Sequence, residues 1–139
     1  TAGDVVGAAA AAITFASIGP AAGFIRIKDA DLRIDVTAVP SGMTTFRLHL
    51  YNATPPSALA DNAPWDLPSG DRASYLGYID LGTPADVGST LWTQTVGSGE
   101  KEVLMGASTS LFGYLVTNGG FTPAGNSEVY TPRLCAVGV

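Results

Sequence analysis

The chain has 139 residues, 46% apolar and only 14% charged, with 17 Gly, 9 Pro and a formal net charge of −5. That length gives one domain, and such apolar content excludes a disordered chain, which combines weak hydrophobicity with high charge. Lys and Arg together number 7 and nowhere cluster, which excludes a phosphate-tracking nucleic-acid surface.

Residues 1–12 read as an extended N-terminal arm ahead of a single β-domain over 13–139. The run "VVGAAAAAITFASIG" (5–19) lacks a basic flank, follows Asp4 and is rich in Ala, Thr and Ser, so it is read neither as a signal nor as a membrane span. A first strand is expected within 12–18. In "FIRIKDADLRIDV", Ile25 and Ile27 oppose Arg26 and Lys28, and Leu32, Ile34 and Val36 oppose Arg33 and Asp35. The phase changes across "KDAD", which requires a bulge or short turn. "TTFRLHLY" then places Phe46, Leu48 and Leu50 on one face and Arg47 and His49 on the other, solvent-facing side.

A loop follows, stiffened by Pro55, Pro56, Pro64 and Pro68, with Trp65 near its far end and one helical turn expected in "SALADNA". Trp65 has two readings, a plug folded back on the domain or an anchor for a partner. Further strands are expected at 75–82, 89–96, 101–105, 110–117 and 127–138, separated by Gly-, Pro- and Asn-rich turns, with "GSGEK" (97–101) as a hairpin turn. "LFGYLV" (111–116) is apolar on both faces and suits either a doubly covered central strand, the favoured reading, or a subunit contact. Pro132 places the last strand at an edge or a bulge. About eight short strands with frequent turns define an all-β fold, an antiparallel, jelly-roll-like β-sandwich or barrel.

Residues suited to chemistry are sparse. His49 is the single histidine, without a G-x-S-x-G elbow, and reads as a surface or interface side chain. Asp61, Asn62, Asp66 and Asp71 lack calcium-loop spacing and suit turns and caps; Glu100 and Glu102 have no opposing acid. One cysteine, Cys135, excludes an intrachain disulfide and a Cys-rich metal site, and is expected as a small buried hydrophobe on the last strand. Catalytic residues, metal and cofactor are expected to be none.

The strings "AGDVVG", "FRLHLYNATPPSALADNAPWDL", "ASYLGYIDLG" and "SLFGYLVTNGGFTPAGNSEVYTPRL" together resemble a group of small virion proteins of tailed bacteriophages. The shared positions are Gly3 to Val6, Phe46 to Tyr51, Pro55 with Asp61 and Asn62, Leu76 to Asp80, and Phe121 to Glu128. The resemblance spans nearly the whole chain and implies a non-enzymatic virion component. It implies foremost a capsid decoration (cement) protein, made in the host cytoplasm and carried on the outer capsid surface. Its partner there is the major capsid protein, its expected assembly a homotrimer, and a neck or tail component is the competing assignment. Partner contacts are then expected from Thr1, Gly3, Asp4, Val5 and Val6 of the arm, by strand addition to a neighbour, and from Trp65, Asp66 and Leu67. From other classes, a carbohydrate-binding sandwich would use Trp65, Trp92 or Tyr78, and a small hydrolase would need His49.

Overall fold

The computed structural model describes residues 1–7, 12–123, 125 and 128–139, with backbone alone for 96–100. Among them are nine strands: β1 (Val5–Val6), β2 (Ile13–Phe15), β3 (Phe24–Ile34), β4 (Phe46–Tyr51), β5 (Tyr75–Gly82), β6 (Ala85–Asp86), β7 (Leu91–Leu104), β8 (Leu111–Thr117) and β9 (Tyr130–Gly138). They pair antiparallel into two sheets, giving a β-sandwich. One sheet runs β1-β8-β4-β5, with β2 also on β8; the other runs β6-β7-β3-β9. No helix among the described residues is long and apolar enough to cross a membrane.

The period-2 pattern explains the core. Ile25, Ile27, Ala30, Leu32 and Ile34 of β3 meet Phe46, Leu48 and Leu50 of β4, together with Leu91 and Val103 of β7 and Leu111 and Leu115 of β8. The phase change read in "KDAD" is a register shift between Ile27 and Asp29, which keeps both halves of β3 facing inward. The same shift overturns the hairpin expected at 97–101. Lys101 pairs with Ile27 and Val96 with Asp29, so residues 97–100 stand opposite Lys28 alone, as an outsized bulge inside one continuous strand. Both halves of β7 use the same long partner, and the chain does not reverse. The helical turn foreseen in "SALADNA" is likewise displaced, to a 3-10 turn at Ser69–Asp71.

One further expectation changes. Cys135 is exposed, because Leu134 and Ala136 face Ala30 and Ile27 and alternation turns the thiol outward. Pro132 lies on β9, at a sheet edge, where its missing N–H breaks no ladder. β4 and β8 are buried on both faces, β8 reading as the doubly covered central strand. The cover is the 52–74 loop, whose ends meet where the Asn52 amide donates to the Ser74 carbonyl at 2.9 Å. Leu59, Trp65 and Leu67 pack there on Tyr51, Tyr114, Val5 and Val116 as a second apolar cluster outside the sandwich. The Tyr114 hydroxyl fastens the loop, donating to the Ser57 carbonyl at 2.9 Å and accepting from the Leu59 amide at 3.1 Å.

Candidate interaction surface

The N-terminal residues foreseen as a projecting arm lie against their own domain; of that segment, residues 8–11 fall outside the described set. Val5 and Val6 pair with Val116 and Leu115 on β8. The Gly3 amide donates to the Thr117 carbonyl at 2.7 Å, and the Thr117 amide to the Asp4 carbonyl at 3.1 Å. The opposite edge of the same segment is also occupied. The Trp65 amide donates to the Gly3 carbonyl at 3.0 Å, the Val5 amide to Ala63 at 2.8 Å, and the Asn62 amide to Val5 at 2.9 Å. Residues 3–6 therefore form the middle of three backbone layers and splice the 62–65 loop to β8. Gly3 takes φ +83°, a left-handed conformation that favours glycine at this entry point.

The two foreseen contact groups, some 60 positions apart in the chain, thus meet in one surface. They are not equally available on it. Asp4 and Val5 are buried, Gly3, Val6, Trp65 and Leu67 are half-buried, and Thr1 and Asp66 are exposed. The Trp65 indole turns inward and stacks on the His49 imidazole, with ring centroids 3.8 Å apart and planes at 20°. Its Nε1 donates to the Tyr51 hydroxyl at 3.3 Å. The geometry is that of the plug.

His49 is accordingly a correction: it is 5% exposed, not solvent-facing. Sequence alternation does place it outside the sandwich core, but the loop supplies a roof there. Nδ1 lies 2.8 Å from the Tyr75 hydroxyl, and the Tyr78 ring lies tilted at 52°, its centroid 5.5 Å away. Burial, reinforced by the nearby Arg47 guanidinium and partly opposed by Asp80, lowers its pKa to about 4, so the ring is neutral at pH 7. Burial also pushes the Tyr51 phenol up to about 12. Arg47 is held by Asp80 at 2.8 Å and lies over the Tyr78 ring at 4.5 Å. An imidazole with an indole on its face and a phenol on Nδ1 is placed to pack the loop. Among the described residues no carboxylate hydrogen-bonds to it, as a catalytic triad would require.

The loop acids are spread out by the fold. Asp71 is buried and accepts from the Ser57 amide at 3.3 Å, whereas Asp61 accepts from the Gly7 amide at 3.2 Å. No group of three or more His, Cys, Asp or Glu is arranged to hold a metal among the described residues. Glu102 pairs with Arg26 at 3.3 Å, and the Glu100 side chain lies outside the described set. Beside the spliced segment opens a cleft of about 550 Å³, bounded by Asp4, Val6, Asp61, Phe121, Glu128 and Tyr130. The Tyr130 hydroxyl donates to Glu128 at 3.0 Å, and burial together with that carboxylate raises its pKa. Sequence reasoning missed this cleft, because its walls come from three separated segments. It also missed Tyr51, Tyr75 and Tyr114 as loop fasteners, although their hydroxyls on otherwise apolar strand faces signalled a need for partners.

Compared with protein-family models, curated proteins and solved structures, the chain matches none.

Proposed function

We propose that this protein is a non-enzymatic virion structural protein of a tailed bacteriophage, a capsid decoration protein bound outside the major capsid lattice. One observation carries the reading. The positions behind the resemblance, Gly3–Val6, Phe46–Tyr51, Pro55, Asp61, Asn62, Leu76–Asp80 and Phe121–Glu128, are scattered through the sequence, yet in the described residues they gather on one side. They supply β1, β4 and β5, the covering loop and the neighbouring cleft, whereas β3, β6, β7 and β9 of the opposite sheet supply none. A surface kept stiff by a second apolar cluster suits a protein that works by shape complementarity, because little entropy is lost when it docks. On a lattice, a homotrimer repeats each modest contact and gains avidity.

The docked N-terminal segment changes how contact is made. Val5 and Asp4 are already in use within the chain, so the capsid is met by the exposed rim, Thr1 and Asp66 with the edges of Trp65 and Leu67, and not by a free strand. Cryo-electron microscopy of the particle that encodes the chain tests the proposal. Density for the sandwich on the outer capsid, with the β1–β4–β5 side toward the lattice, is the expected result. Density confined to the neck or tail above a bare capsid overturns it.

A further inference from the structure

Lys101 occupies a core-facing position on β7, opposite Ile27, yet it is half-buried and not sealed in. Its ammonium reaches beneath β5, where a Cβ built on Gly77 would stand 3.0 Å from Nζ. Gly77, at φ +94°, leaves the room that this head group occupies. Arg26, Arg47 and Arg133 are each paired, with Glu102, Asp80 and Asp31. Lys101 has no hydrogen-bond or ion-pair partner among the described residues. A half-buried ammonium that no carboxylate among the described residues engages can take an anion from solution.

The ammonium lies on a groove of about 520 Å³ along the seam between β5 and β7, within the size range of small-ligand sites. The Thr95 hydroxyl bridges the seam, donating to the Asp80 carbonyl at 2.8 Å. Around it stand groups that suit hydroxyls. Gln94 accepts from Trp92 Nε1 at 3.0 Å through its amide oxygen, which leaves its NH₂ to donate. The Asp80 carboxylate has one oxygen on Arg47, which offsets its charge and leaves the other to accept. Tyr78, 43% exposed, supplies an aromatic wall. A bare carboxylate would leave most of this volume and these polar groups unused.

We propose that the groove binds an acidic sugar unit, with its carboxylate on Lys101, ring hydroxyls on Gln94 and Asp80, and an apolar ring edge on Tyr78. The groove shares Tyr78 and Asp80 of β5 with the side proposed to face the lattice, but its test uses the free chain, so its outcome is read separately from the virion assignment. Amide shifts of the ¹⁵N-labelled full chain, titrated separately with glucuronic acid, N-acetylneuraminic acid, glucose and inorganic phosphate, test it. Saturable shifts at Gly77–Asp80 and Gln94–Thr95 with at least one acidic sugar are expected. Glucose should bind about tenfold more weakly or worse, and Lys101→Gln should lose about tenfold, the worth of one charge-assisted contact. Tyr78→Ala, at an exposed position, should weaken acidic sugars, with spectral changes outside the groove confined to its neighbours around Arg47 and His49. Should Lys101→Gln fail to fold, wild-type affinity must fall as salt rises from about 50 to about 500 mM. No saturable shift with either acidic sugar, equal binding of glucose, response to phosphate alone, or indifference to both Lys101→Gln and salt overturns the proposal.

Discussion

His49 carries an electrostatic consequence that falls within an accessible pH range. Its pKa, about 4 in the fold against 6.5 for the free imidazole, means that the unfolded chain binds the proton first as pH falls. The stabilisation is therefore complete above about pH 6.5 and drains away between there and about pH 4, by about 3 kcal/mol in all. Urea denaturation across that range should show the loss in the wild type and a flatter profile in His49→Phe, since the remaining carboxylates titrate alike in both. Trp65 is the other half of this stack. Trp65→Ala removes the roof of the imidazole and leaves the Tyr51 hydroxyl without its donor. It should cost about 2–3 kcal/mol, less than a fully buried tryptophan because the indole is half-buried. A melting temperature equal to wild type would mean the indole contributes nothing to the cover.

β1, only two residues long, bonds through Gly3–Val5 to β8 on one side and the 62–65 loop on the other. Removing it should therefore loosen both. Val5 is 4% exposed, so Val5→Asp buries an unpaired carboxylate and should cost about 3 kcal/mol or more. Hydrogen exchange gives the sharper reading. The Thr117 amide, bonded to Asp4, and the Trp65 amide, bonded to Gly3, should lose protection together, while β3 amides in the opposite sheet keep theirs. Loss at only one of the two would show that the segment is not a splice. β7 makes a related point: its bulge at 97–100 lets one strand follow both phases of β3 and brings Lys101 to the seam.

For the whole molecule, the proposed orientation gives the two sides different sensitivities. Asp66, on the lattice-facing rim, and Arg33, on the outer face of the opposite sheet, are both exposed. Charge reversal at either should shift stability by no more than about 0.5 kcal/mol. Asp66→Lys should lower occupancy on purified capsids, measured by gel densitometry of sedimented particles, whereas Arg33→Glu should leave it unchanged. Equal loss from both, or none from either, contradicts the orientation.

Much of the architecture was already written in alternation. Ile25, Ile27, Leu32 and Ile34 had to share a face, the KDAD phase change demanded a shift, and Pro132 needed an edge, because strand geometry is local and has period two. The apolar doubling of 111–116 called for a second cover, but it could not say that residues 52–74 of the same chain provide it. Non-local contacts settled the rest. His49 reads as solvent-facing until Trp65 closes over it, "GSGEK" as a turn until β3 is seen pairing on both sides, and residues 3–6 as an arm until β8 and the loop both claim their amides. Local sequence carries no information about which distant backbone will satisfy a donor or which loop will exclude water, and those pairings made the candidate surface.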